Sequence, residues 1–182
     1  MNIRTFCTAV LLAIAFVPIG TAQAQRIERM PGYFDFREIE EMVGAETTLE
    51  VNVKGALLRM AAEAARVEDE TLAEMLLKLV AIQVRGYTLD YEARQALQDR
   101  VGPLARRLES GGWDRVVRVH DNDEFVEMLV RDTSGEKVEG MMVMVISRGQ
   151  NETVFVNIVG EIDPEDIGRI GRRFRIDVLE DL

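Results

Sequence analysis

The fold of this chain is decided by four stretches in its C-terminal half, which are WDRVVRVH (residues 113–120), EFVEMLVR (124–131), VEGMMVMVI (138–146) and TVFVNIVG (153–160). Each stretch is rich in β-branched residues, and short turn-forming sequences such as Asp121-Asn122-Asp123 separate them. Because consecutive strands joined by short turns pair antiparallel, the pattern predicts a four-strand meander. The third stretch is almost entirely apolar, so it is expected to lie centrally and to be covered on both faces.

Two further strands and several helices are predicted upstream of the meander. Residues 49–55 alternate between apolar and polar side chains, and so do residues 80–87, which indicates strands with one polar face. Predicted helices span 56–66, about 70–79 and 91 to about 110. The chain therefore predicts an α+β fold, an antiparallel sheet of about six strands with helices packed on one face.

Two helix details follow from proline positions. Gly102-Pro103 lies inside the third predicted helix, where proline removes a backbone hydrogen bond, so a kink or a break into two short helices is expected. Asp163-Pro164-Glu165-Asp166 has the residues that open helices, which predicts a last helix ending near Gly171.

The composition excludes several classes of protein. The chain has 182 residues, 32 acidic and 22 basic, with a formal net charge of −10, one cysteine and one histidine. A disulfide scaffold needs several cysteines, and a Cys/His zinc module needs several cysteines and histidines, so both classes are excluded. An acidic chain also argues against nucleic-acid binding, which needs a basic surface. No phosphate-binding loop, dinucleotide fingerprint, nucleophile elbow or zinc-protease motif is present, so we expect neither a cofactor nor an enzyme.

The first 24 residues have the features of a secretory signal. A basic start at Arg4 precedes an apolar stretch, and Ala22-Gln23-Ala24 provides the small residues that a signal peptidase recognises. We expect cleavage after Ala24, which leaves residues 25–182 as one domain in the periplasm or outside the cell. The alternative is an uncleaved anchor, but the apolar stretch is short for a bilayer span of about 20 residues. No second such stretch follows, so no transmembrane segment is expected after cleavage.

Four motifs resemble a known family. They are PGYFDF (31–36), VNVKGALLR (51–59), GWDRVVRV (112–119) and VFVNIVGEIDP (154–164). Together they are similar to the domain of unknown function 4252 family of exported bacterial proteins. The resemblance implies an envelope protein, often lipid-anchored in relatives, but it implies no activity. This chain lacks a usable lipobox cysteine, because Cys7 precedes the apolar stretch instead of ending it.

Three groups of residues could carry chemistry, and each has a simpler interpretation. His120-Asp121-Asn122-Asp123-Glu124 could bind a divalent cation, although Asp and Asn are also common turn residues. Met141-Met142-Val143-Met144 could bind Cu(I), although buried strand methionines are commoner. The carboxylates of Glu161, Asp163, Glu165 and Asp166 could act in acid–base catalysis, but helix capping accounts for three of them.

The polar sheet face is the preferred candidate site. If Val51, Ile82 and Val117 face the helices, the opposite face carries the possible partner-binding residues Asn52, Lys54, Gln83, Arg85, Tyr87, Arg118 and His120. Arg and Tyr are favoured in protein interfaces, and an acidic partner or another copy could bind there. We therefore expect an interaction or regulatory module that binds an unknown envelope protein or associates with itself. The alternatives are a small-molecule or lipid carrier with a cavity between sheet and helices and, less favoured, a hydrolase; an ordinary solvated sheet face is the simplest interpretation.

Overall fold

The structure is a computed structural model that describes residues 27–121, 124–132, 135, 137–147 and 152–163. Within these residues the helices are α1 (Arg37–Val43), α2 (Ala56–Ala65), α3 (Glu70–Lys78) and α4 (Tyr91–Ser110). The strands are β1 (Leu49–Lys54), β2 (Leu79–Thr88), β3 (Trp113–His120), β4 (Glu124–Asp132), β5 (Val138–Ser147) and β6 (Glu152–Ile162). The expected signal segment and the helix expected after Asp163 lie outside the described residues.

The strands form one antiparallel sheet in the order β1-β2-β6-β5-β4-β3. The α+β class, the six strands and the C-terminal meander from β3 to β6 are thus confirmed. Strand β5 lies between β4 and β6, and Met141 and Met142, which point to opposite faces, are both fully buried. The prediction that this strand is central and covered on both faces is confirmed.

Helices cover both faces of the sheet, which corrects the expectation that they pack on one. On the α4 face, which is the face toward α1 and α4, Leu97 and Val101 pack with Leu129 of β4. On the α2 face, which is the face toward α2 and α3, Leu58 and Met75 belong to one apolar cluster with sheet residues of the opposite orientation. The alternation in β1 indicated a sheet with one apolar face. Strands β4, β5 and β6, however, carry buried apolar side chains on both faces. Each face of the sheet therefore packs against helices.

The segment before α1 is fastened to the centre of the sheet by Asn157. Its fully buried side chain accepts a hydrogen bond from the Phe34 amide at 3.0 Å. The same side chain donates to the Gly32 carbonyl at 3.0 Å and to the Met141 carbonyl at 3.2 Å. Gly32 and Gly140 approach so closely that neither position has room for a Cβ. Two of the motifs recognised in the sequence, residues 31–36 and 154–164, are therefore in direct contact.

Helix α4 runs through Pro103 without interruption. The Asp90 side chain caps its first turn by accepting from the Ala93 amide at 2.8 Å. Of the expected kink or break, the break into two short helices is wrong, and Val101 and Leu104 on either side of the exposed proline are both buried in the core. This packing holds the helix together where one backbone hydrogen bond is lost.

None of the helices in the described part of the chain combines the length and the apolar character that crossing a bilayer requires.

Candidate functional site

The seven candidate residues share the α4 face of the sheet but lie at its two ends. In the strand register Asn52 is opposite Gln83, whereas Arg118 is opposite Glu127 and His120 is opposite Phe125. Five of the seven therefore lie on β1 and β2 at one edge, and two lie on β3 at the other. Five inter-strand spacings, about 24 Å in total, separate the edges, so the seven do not form one site.

Arg85 is a structural residue that joins three elements. It is 8% exposed, and its guanidinium bonds Glu40 at 3.1 Å, Glu50 at 3.1 Å and Asn52 at 3.3 Å. The same group lies over the Phe36 ring, 5.3 Å from its centroid. These contacts tie β1, β2 and α1 together. Arg85 is not on a bare face, which corrects the expectation that this end of the face is exposed.

Tyr87 is likewise part of the core. Its ring is 1% exposed and packs edge-to-face on Phe155, with 6.1 Å between the ring centroids. Burial raises the pKa of its hydroxyl above the usual value. Tyr87 therefore stabilises the packing below α1 and offers no surface to a partner.

Asn52, Lys54 and Gln83 line a small cavity at the β1 edge. The cavity has a volume of about 60 Å³, and Glu28 and Tyr33 of the entering chain complete its wall. Burial is the main reason why the pKa of the Tyr33 hydroxyl is raised. The volume suits a few water molecules, whereas pockets for organic ligands usually measure about 300 to 1,000 Å³.

A larger open groove of about 560 Å³ lies between α1 and α4. Its walls carry charges of both signs, and its arginines are already engaged: Arg100 donates to the Met42 carbonyl at 2.8 Å, and Arg107 pairs with Glu38. Neither this groove nor the smaller cavity lies between the sheet and the helices, which is where a carrier was expected to hold its ligand.

The residues at the β3 edge surround a buried carboxylate. Glu127 of β4 is fully buried, and its Oε1 accepts from Arg118 Nε at 3.0 Å and lies 3.2 Å from His120 Nε2. Its Oε2 lies 2.8 Å from Arg115 Nε, an ion pair without hydrogen-bond geometry. Arg115 also bonds Glu109 of α4 at 2.9 Å. We call these five residues the Glu127 cluster.

A β-bulge at Val116 brings the side chains of this cluster together. The pairing of β3 with β4 shifts between Arg115 and Val117, so Val116 has no partner on β4. Without the extra residue, Arg115 and Arg118 would point to opposite faces, because strand side chains alternate. The bulge places both guanidinium groups beside Glu127.

Two of the five side chains in the cluster, those of Arg118 and His120, are substantially open to solvent. The side chains of Arg118 and His120 are 45% and 44% exposed, and the imidazole stacks on Phe125 with 4.1 Å between the ring centroids. Val116 beside them is 44% exposed. Strand β3 pairs with β4 alone among the described residues, so its outer backbone edge faces away from the sheet. This region can contact a partner through cationic, aromatic-stacked and apolar groups together.

Glu127 and Arg115 were missed in the sequence analysis. Glu127 lies on the same face of its strand as the buried Phe125 and Leu129. A charged residue between two apolar residues of a core face was therefore the signal that could have revealed it. Arg115 could not be connected with Glu127, because simple alternation places it on the same face as Val117 and only the bulge at Val116 turns it to the face of Glu127.

The other candidate groups have structural roles where they are described. The Asp121 side chain accepts from the Glu124 amide at 2.7 Å, as in an Asx turn, while Asn122 and Asp123 lie outside the described residues. The methionines of β5 are core residues. Across the described ranges, no three His, Cys, Asp or Glu side chains are grouped in a way that could hold a metal ion.

The described carboxylates near the end of β6 are paired with lysines. Glu161 bonds Lys137 at 2.7 Å, and Asp163 bonds Lys78, which lowers the pKa of the Asp163 carboxyl. Glu165 and Asp166 lie outside the described residues.

Comparison with known proteins identifies a family. The family model described as domain of unknown function (DUF4252) matches residues 36–170, a range that contains every described helix and strand. No curated protein matches the chain.

Proposed function

Since this chain belongs to the family described as a domain of unknown function (DUF4252), which assigns it no reaction, we propose from the geometry that it is a non-enzymatic interaction module. Its binding surface is the β3 edge, formed by Val116, Arg118 and His120. The observation that carries the proposal is the fully buried Glu127, which holds basic side chains at an exposed edge strand.

The Glu127 cluster supports binding because it orders its surface groups in advance. A buried carboxylate loses its hydration and needs several partners to compensate. Those partners are thereby held in one arrangement before any ligand arrives. Because Arg118 and His120 are already held in place, less conformational entropy is lost when a partner binds.

The partner that suits this edge is an acidic, extended protein segment. An outer strand edge offers unpaired backbone groups that can hydrogen-bond an added strand. Arg118 meets Glu127 through its Nε, and 45% of its side chain is exposed, so its guanidinium would be available to carboxylates of that segment.

The other functions considered from the sequence have less support. A carrier needs a cavity between sheet and helices, and the cavities described above lie elsewhere. A hydrolase would use the His120–Glu127 pair, but the imidazole is stacked on Phe125 beside two guanidinium groups. Self-association through β3 would bring equal basic groups together, which disfavours a symmetric pair.

We also propose that the protein is exported to the periplasm or beyond. The basic start, the apolar stretch and Ala22-Gln23-Ala24 support cleavage after Ala24. Residues 25–182 would then act in the bacterial envelope, where the partner would be found.

The proposal is tested by removing one charge at each edge of the sheet. Arg118→Gln keeps a hydrogen-bond donor for Glu127 but removes the charge, and Lys54→Gln removes one charge at the opposite edge. Tagged variants are used to capture proteins from the envelope of the native host. We expect Arg118→Gln and His120→Gln each to reduce recovery of a specific partner about tenfold, as for hot-spot residues.

Lys54→Gln should leave that recovery unchanged. Equal recovery with Arg118→Gln and the parent protein would contradict the proposal, and so would an equal loss with Lys54→Gln.

A further inference from the structure

Beyond the bulge, the outer strand β3 has two chemically different sides. From Val117 to His120 its residues pair with β4 one by one, without a further shift of register. Arg118 and His120 lie on the α4 face beside Glu127, whereas Val117 and Val119 pack in the apolar cluster of the α2 face. This edge of the sheet is therefore basic on one face and apolar on the other.

The apolar side ends at Val119. In the strand register, Val119 of β3 is opposite Val126 of β4, which in turn is opposite Val145 of β5. Val119 is the last residue of this row and is half-buried. An apolar side chain on an added strand would continue the row and cover the remaining surface of Val119.

The basic side follows the same register. Arg118 is directly opposite Glu127, and His120 lies two residues further along the same face. Both share the Oε1 atom of Glu127, which is 3.0 Å from Arg118 Nε and 3.2 Å from His120 Nε2. Residues of an added strand that face Arg118 and His120 would also be two positions, or about 7 Å, apart. A carboxylate at each of these positions would lie within reach of its basic partner.

We propose that the partner segment of the β3 edge alternates acidic and apolar residues over four positions. Its acidic residues face Arg118 and His120, and its apolar residues face Val117 and Val119 on the other side of the sheet. This pattern rests on the binding edge proposed above and specifies the chemistry of the partner on both faces. The bulge at Val116 limits the matched length to four residues, because regular pairing is interrupted there.

The test uses the purified protein and two fluorescent peptides of the same composition. Each peptide has two valines and two glutamates between serine residues that keep it soluble. The valines and glutamates alternate in one peptide, whereas both valines precede both glutamates in the other. In this second peptide, every register places a valine and a glutamate on the same side of the strand. Fluorescence anisotropy measures the two affinities.

We expect the alternating peptide to bind about tenfold more tightly, because the other peptide places a carboxylate against an apolar side chain. Val119→Thr keeps the branched shape but replaces a methyl with a hydroxyl group, so it should weaken binding of the alternating peptide about fivefold. Val51→Thr is the matched control on the outer strand β1, where Val51 is also half-buried on the α2 face. It should leave the affinity unchanged.

Equal affinities of the two peptides, or no binding of either, would overturn the proposed pattern. Equal losses with Val119→Thr and Val51→Thr would do the same. Failure of the binding edge itself is a separate result, because it appears as unchanged recovery of the native partner by Arg118→Gln. If both peptides bind equally well to the parent protein and less tightly to Arg118→Gln, the edge is retained and the alternating pattern is wrong.

Discussion

At the scale of single residues, Glu127 shows how one buried charge organises a surface. On folding, its carboxylate loses its contacts with water and gains contacts with Arg115, Arg118 and His120. A buried ion cluster of this kind rarely makes a protein more stable than apolar residues of similar volume would. Removing one member of such a cluster strongly lowers stability, because buried charges then lose a partner of opposite charge. The cluster is therefore expected to be sensitive to the loss of Glu127 and to fix the positions of its basic partners.

Glu127→Gln is expected to lower the free energy of unfolding by about 2 to 3 kcal/mol, because the largely buried Arg115 would lose one of its two carboxylate partners and retain Glu109. Urea unfolding followed by circular dichroism measures the change. Glu74→Gln on the exposed side of α3 is the matched control and should change stability by less than about 0.5 kcal/mol. Equal stabilities of the two variants would show that the cluster carries no such energy.

At the scale of elements, the sequence patterns predicted what was local and missed what depends on contacts between distant segments. Alternation in β1 and the Asp90 cap of α4 identified those elements correctly. The bulge at Val116 could not be predicted, because it depends on how β3 pairs with β4 and residues 113–120 read as an ordinary strand. The seven candidate residues were assigned to one site because alternation predicts the face of each residue but not the order of the strands, and the observed order separates the residues into two groups.

The segment before α1 is also fixed by a distant contact, the three hydrogen bonds of Asn157. Asn157→Leu would leave the buried Phe34 amide without its acceptor and should lower the free energy of unfolding by about 3 kcal/mol. The variant should also become sensitive to trypsin at Arg29, because the segment is no longer held.

Asn52→Leu, on the exposed edge strand, is the control and is expected to cost less than about 1 kcal/mol. Trypsin cleavage at Arg29 at the same rate in both variants would mean that Asn157 does not fasten the segment.

At the scale of the whole molecule, the sheet has helices on both faces and two outer strands. Sheet faces covered in this way leave the strand edges as the places where a partner can reach the backbone. Strand β1 is short and β3 carries a bulge and exposed cations, features that protect edges from unspecific pairing. The β3 edge thus combines protection against aggregation with groups suited to a specific acidic partner.

The placement of helices could not be predicted from the strands alone. Strands β4 to β6 are apolar on both sides, as the central position predicted for β5 already required, yet the polar side of β1 suggested one open face. Which face each helix covers depends on the directions of the β1–α2 and β2–α4 connections, and no local pattern encodes these. The polar residues of β2 on the α4 face were consequently expected at the surface, although Arg85 and Tyr87 are buried.

Site-specific photo-crosslinking at Val116 in living cells tests the proposed binding edge most directly. A benzophenone side chain at Val116 should form one major adduct with a partner protein, and Arg118→Gln should abolish it. The same group at Met60, an exposed apolar residue of α2, should not form that adduct. An adduct from Met60 but not from Val116, or one from Val116 that persists with Arg118→Gln, would contradict binding through the β3 edge.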